Sequence, residues 1–201
     1  ALCQTGDREM MSQFEFLFSL YSLLLGLSMV ELLSGLGKTV KARLHVDEEA
    51  KAGYRVGWLT PLLGLFVMLD LLSFWGAAWA VRDIIAVSGG WMMGTMLFAS
   101  AYYLAAHLVF PESIPKNGDL DPHYFHVRRI VLGMLFVLLL VQLTFYLSHP
   151  DLSARLVNPT ALILTAVLVA LMTAAFFVKS KAMNIAVLCA LIVRYAAVYL
   201  I

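Results

Sequence analysis

Long runs of apolar residues, separated by short polar stretches, divide this chain into six segments. A helix that rises about 1.5 Å per residue needs about 20 mostly apolar residues to cross the roughly 30 Å of hydrocarbon in a bilayer. The six runs therefore predict six transmembrane helices, which follow a polar leader at 1–12. We place them at 14–37, 58–81, 84–110, 130–147, 159–178 and 183–201.

Polar residues and helix breakers mark the connections between these helices. Two connections are true loops, 39–57 and 112–129, and Pro115, Gly118 and Pro122 interrupt the second. The other connections are tight turns, so successive helices are expected to be antiparallel neighbours. The predicted fold is an all-α integral membrane protein, a six-transmembrane-helix bundle with short loops that forms a single transmembrane domain over 1–201.

Composition agrees with this assignment and limits the classes of binding partner to be expected. The chain is 62% hydrophobic and 13% charged, with a mean hydropathy of +0.86, whereas about 25% of the residues of a soluble domain are charged. The net charge is +1 and the basic residues are spread over separate loops, so nothing favours binding to nucleic acid. The expected partners are the lipid bilayer and either other membrane proteins or further copies of this chain.

The distribution of lysine and arginine predicts the orientation. Only Arg8, Arg82 and Arg155 lie on one side of the predicted bundle. Ten basic residues lie on the other side: Lys38, Lys41, Arg43, Lys51, Arg55, Lys116, Arg128, Arg129, Lys179 and Lys181. By the positive-inside rule the N-terminus is outside, and loops 39–57 and 112–129 are cytoplasmic. With no targeting signal visible, we expect a multi-pass protein of the bacterial inner membrane.

Two opposite charges are predicted at one depth in the bundle. Asp70 follows Arg55 by fifteen residues and Arg194 follows Lys181 by thirteen, which places both roughly 20 Å from the cytoplasmic flank. A direct ion pair is therefore expected, with Gln142 at the same level. Two interpretations stay open: a buried pair that fixes helix packing, and a substrate or ion site, because intramembrane charges are costly unless they are paired or functional.

Glu31 has no basic residue at its own depth, since it lies seven residues, about 10 Å, from Lys38. A carboxyl group in that position is expected to be protonated, to reach toward the flanking lysines, or to face a wet cavity. His107, near the inner end of the third helix, is its expected polar neighbour. A packing role and a role in proton or cation handling are both open.

The first two helices resemble each other over 24–34 and 62–73, with one residue inserted in the second. In each segment an acid is followed three residues later by serine, giving Glu31 with Ser34 and Asp70 with Ser73. Residues three apart share a helical face, so either serine can donate a hydrogen bond to its carboxylate. The resemblance indicates either a duplicated element or a coincidence among leucine-rich helices.

One predicted loop is rich in potential metal ligands, but it matches no known metal-site pattern. Its candidates are Asp119, Asp121, His123 and His126, and their spacing is not that of a zinc site. We therefore expect no metal site, with these four as weak candidates, and no other cofactor. No nucleophile elbow, phosphate loop or metalloprotease motif occurs, which favours a protein that is not an enzyme.

These observations leave two hypotheses for function. The first is a small transporter or channel that uses the intramembrane carboxylates of Glu31 and Asp70 to handle protons or cations. The second is a non-catalytic accessory or assembly subunit of a larger membrane complex. A water-accessible path to either carboxylate would favour the first hypothesis, and a dry, fully paired polar layer would favour the second.

Overall fold

A computed structural model describes residues 2–44, 57–82, 88–113, 115, 118–156 and 158–200. All regular structure in these residues is helical. The helices are α1 (Leu2–Leu44), α2 (Leu59–Ala80), α3 (Gly89–Val109), α4 (Asp121–Ser148), α5 (Pro150–Leu156), α6 (Pro159–Phe177) and α7 (Lys181–Leu200). Six of the described helices, all except α5, are long and apolar enough to cross a bilayer. The predicted six-helix membrane bundle is confirmed.

Several helix boundaries differ from the prediction. The leader at 1–12 is helical from Leu2 onward, and α1 continues past Lys38 to Leu44. The fourth helix begins at Asp121 and not at Ile130, because Pro122 occupies its first turn, where a missing N–H group costs nothing. The short helix α5 lies in a predicted connection. Apolar content locates the hydrocarbon-crossing part of a helix and does not show how far the helix continues into polar sequence.

Local side-chain chemistry sets some of the helix ends. The Ser88 hydroxyl accepts a hydrogen bond from the Trp91 amide at 3.4 Å and caps the start of α3. At α6 the Asn158 side chain accepts from the Thr160 amide at 3.1 Å, with Pro159 as the first helical residue. Both arrangements satisfy amide groups that a helix start leaves without partners.

The helices alternate in direction, so that two groups of helix ends meet on opposite sides of the bundle. One side of the bundle contains the ends at or next to Leu44, Leu59, Val109, Asp121 and Lys181. We call it the basic end, because it carries the described basic residues Lys38, Lys41, Arg43, Arg128, Arg129, Lys179 and Lys181. Contacts between α1 and α3, α3 and α4, α2 and α7, and α1 and α2 hold the bundle together.

Apolar side chains occur on both the inside and the outside of the bundle. Leu32, Leu63, Phe66 and Leu135 are buried in the core, and large apolar residues such as Val137 are more than half exposed. An outer surface of this kind is stable in contact with lipid chains. The protein is a multi-pass membrane protein.

The side chain of Phe110 packs between three helices at the basic end. It directly follows α3, and its ring packs against Gly35 of α1 and Gly64 of α2. A methyl group on either glycine would collide with that ring, at 2.7 Å from Cε2 in the case of Gly64. The two glycines therefore allow α1 and α2 to approach α3 closely at the point where α3 ends.

Candidate functional site

Glu31 and His107 form a polar pair between α1 and α3. The Nδ1 atom of His107 lies 2.9 Å from Oε1 of Glu31, which agrees with the neighbour predicted from the sequence. The side chains are 39% exposed for Glu31 and 52% for His107, so neither is sealed in the core. One proton lies between them, donated by the imidazole to a carboxylate or by a protonated carboxyl group to the imidazole.

The pair lies close to the basic end of the bundle. Helix α3 ends at Val109, two residues after His107, whereas α1 continues to Leu44, thirteen residues after Glu31. Glu31 therefore lies close to the end of the packed bundle, although α1 itself continues well beyond it. The Tyr103 ring stacks on the imidazole, with centroids 6.1 Å apart and planes inclined by 15°, and this contact helps to fix its orientation.

A cavity of about 190 Å³ opens beside the pair. Its walls carry the charged or polar side chains of Lys38, Ser34 and Glu112 together with Glu31 and His107. A space of this size holds several water molecules, and its polar groups can bind them. Ser34 thus belongs to the site as a wall residue, and the hydrogen bond recorded at the Glu31 carboxylate is with His107.

Asp70 lies in a separate, buried cluster. Asp70 is only 4% exposed. The Tyr102 hydroxyl donates to Oδ2 at 2.6 Å, and the Tyr195 hydroxyl donates to Oδ1. Both tyrosines are fully or almost fully buried, so three helices, α2, α3 and α7, meet at this carboxyl group.

The predicted ion pair between Asp70 and Arg194 is wrong. Among the described residues, Asp70 is hydrogen-bonded by the two tyrosines and makes no salt bridge with Arg194. The Nε of Arg194 donates to the Leu164 carbonyl at 3.3 Å, and its guanidinium carbon lies 4.6 Å from the centre of the Tyr195 ring. Equal depth on two helices did not ensure contact, because the residue of α7 that hydrogen-bonds Asp70 is Tyr195, the next residue after Arg194 in the chain.

The other polar residues predicted near Asp70 do not contact it. Gln142 lines a second cavity, of about 300 Å³, at the opposite end of the bundle, together with Thr95. Ser73 is partly buried on α2. Three packed rings, Phe74, Phe98 and Tyr102, lie next to one another with centroids 5.0 to 5.7 Å apart; the two phenylalanines line the second cavity and Tyr102 binds Asp70.

The two aspartates among the weak metal candidates accept hydrogen bonds at helix starts. The segment 121–126 forms the first turns of α4 instead of a loop, and no three metal-ligating side chains come together in the described part of the chain. Asp121 accepts a hydrogen bond from the Leu59 amide at 3.2 Å and forms a salt bridge with Lys181. Asp119 accepts from the Asp121 amide at 3.0 Å. His123 and His126 lie on α4 and belong to no group of three potential metal ligands among the described residues.

A buried cluster around Arg128 was missed by the sequence reasoning, which counted this residue only as a loop charge. Arg128 is 3% exposed, and its Nη1 donates to the Ala175 carbonyl at 3.2 Å, to the Val178 carbonyl, and to Asn184 Oδ1 at 3.0 Å. The Tyr124 hydroxyl donates to the same Asn184 oxygen at 2.8 Å. A cation at the carbonyl end of α6 is favoured by the helix dipole, so the cluster is a structural cap.

The comparisons with known proteins give no relative: no family model, no curated protein sequence and no solved structure matches this chain.

Proposed function

We propose that this protein is a small transporter or channel that handles protons or cations, with Glu31 and His107 as the site that exchanges protons. The observation that carries the proposal is the 2.9 Å contact between these side chains at the wall of a polar cavity. An imidazole and a carboxyl group can each take up and release a proton, so a proton can pass from one side chain to the other. A pair that served packing alone would gain little from half-exposed side chains beside a cavity.

A second carboxyl group within the bundle supports the proposal. Along α3, five residues separate His107 from Tyr102, the hydrogen-bond partner of Asp70, which corresponds to about 7.5 Å of helix rise. His107 and Tyr102, the hydrogen-bond donor to Asp70, thus lie on one helix, although Asp70 itself belongs to α2. Ala105 and Ala106, which lie between Tyr102 and His107 along α3, are fully buried. Passage of a proton or cation past this layer therefore requires a second conformation that opens it.

The second candidate function is an accessory subunit of a larger membrane complex. The observation that favours it is the Asp70 cluster, in which two buried tyrosine hydroxyls satisfy the carboxyl group, as is typical of a packing residue. The exposed faces of Glu31 and His107 would then lie against a partner protein. Purification from native membranes in mild detergent tests this candidate, because a stable partner should copurify with the chain.

The direct test measures proton flux in reconstituted vesicles that contain a pH-sensitive dye and an imposed potassium diffusion potential. Glu31→Gln should remove the flux of the wild type, since an amide cannot take up the proton. Glu15→Gln is the matched control, because Glu15 is an exposed carboxyl group on the same helix outside the cavity, and its flux should match the wild type. Flux that survives Glu31→Gln would refute the site, and an inactive wild type would favour the accessory subunit.

A further inference from the structure

The second cavity has a different chemistry from the site around Glu31. Its volume is about 300 Å³, and helices α1, α2, α3 and α4 all contribute to its walls away from the basic end. Aromatic rings from all four helices line it, including Phe18, Tyr21, Phe74, Trp91, Phe98 and Phe145. A volume at the lower limit of small-molecule sites suits a single substituted ring better than a whole lipid molecule.

The Gln142 side chain supplies a polar amide group to the wall of this cavity. Within the described part of the chain, no group hydrogen-bonds the amide of Gln142, which lines the cavity. The other short polar side chain, Thr95, already donates its hydroxyl to the Trp91 carbonyl at 2.8 Å. An amide in an apolar, membrane-embedded space without a partner costs free energy. A bound molecule with a polar atom at this point would remove that cost.

We propose that this cavity binds a planar, apolar ring of the quinone class, whose carbonyl or hydroxyl oxygen hydrogen-bonds Gln142. The amide can donate to a carbonyl oxygen and accept from a hydroxyl group, so it serves both the oxidised and the reduced form of such a ring. The surrounding aromatic rings offer faces and edges against which a flat ring packs well. This site is independent of the proposed function at Glu31, and its test requires no flux.

The experiment uses the full chain in phosphatidylcholine nanodiscs, with a decyl-tailed benzoquinone as the probe. Trp91 lines the cavity, so in a variant that keeps Trp91 and replaces the other tryptophans by phenylalanine, bound quinone should quench the fluorescence in a saturable way. Gln142→Leu should weaken binding about tenfold, the loss expected for one hydrogen bond. Decylbenzene, which lacks the oxygens, should compete only weakly.

A pair of glycine substitutions provides a matched control. A methyl group added to Gly94, in the cavity wall, or to Gly26, on α1 outside it, meets no atom within 4 Å. Gly94→Leu should therefore fill the cavity and reduce binding at least tenfold, whereas Gly26→Leu should leave binding unchanged, with circular dichroism confirming that both fold. Two results would overturn the proposal in favour of a crevice for lipid chains. One is linear quenching without saturation, and the other is saturable binding that Gln142→Leu does not alter and that decylbenzene displaces as well as the quinone does.

Discussion

The ring of Phe110 lies so close to Gly64 that a Cβ atom on this glycine would come within 2.7 Å of Cε2. Gly64→Ala should therefore destabilise the protein by about 1–3 kcal/mol, the cost of overpacking a core, despite the better helix propensity of alanine. Thermal unfolding in detergent measures the change. Gly26→Ala is the control, because Gly26 occupies the matching position in the segment that resembles 62–73 and meets no neighbour within 4 Å.

The two glycine variants also test whether the resembling segments are equivalent in the fold. Gly26→Ala is expected to leave stability unchanged or to raise it by up to about 1 kcal/mol through helix propensity. Equal shifts for both variants would contradict the close contact between Gly64 and Phe110.

Asp70 should couple energetically more strongly to its two tyrosines than to Arg194. Tyr102→Phe leaves a buried carboxyl oxygen with one hydrogen bond fewer, which should cost about 1–3 kcal/mol. In double-mutant cycles, Asp70→Asn combined with Tyr102→Phe or Tyr195→Phe should depart from additivity. Asp70→Asn with Arg194→Gln should depart from it less, because Arg194 hydrogen-bonds the Leu164 carbonyl and acts on Asp70 only through its charge. A large coupling to Arg194 alone would restore the ion pair predicted from depth.

Arg128 should be essential for the stability of the connection between α6 and α7. Arg128→Gln withdraws donors from the Ala175 and Val178 carbonyls and from Asn184, and each orphaned buried acceptor costs about 1–3 kcal/mol. Arg129→Gln is the neighbouring control, since Arg129 is exposed and its guanidinium lies 5.9 Å from the centre of the Phe176 ring. Comparable unfolding temperatures for the two variants would argue against the cap.

The orientation stays a prediction from the ratio of ten basic residues to three. In a background where Cys3 and Cys189 are replaced by serine, cysteines introduced at Asp47 and Asn117 should resist a membrane-impermeant thiol reagent in intact cells. Ala154→Cys, at the opposite end in α5 and exposed, should react. The reverse labelling pattern would invert the orientation.

The sequence by itself determined that this protein lies in lipid, that six helices can cross the membrane, and roughly where Glu31, Asp70 and Arg194 lie along their helices. These properties follow from the apolar length of a segment and from the fixed rise of a helix, both of which can be counted along the chain. The contact between Glu31 and His107 could also be predicted from the sequence, because few polar residues lie near that depth and each has few possible polar neighbours.

Only the tertiary structure decided which residues share a depth and also touch. In lipid the outer face of a helix is as apolar as the packed face, so the sequence pattern gives little information about rotation around the helix axis. For this reason Arg194 and Gln142, both predicted near Asp70, contact the Leu164 carbonyl and line the second cavity instead. The same ambiguity hid Tyr102, Tyr195 and Asn184, whose polar ends acquire their partners only when α2, α3, α4 and α7 pack together.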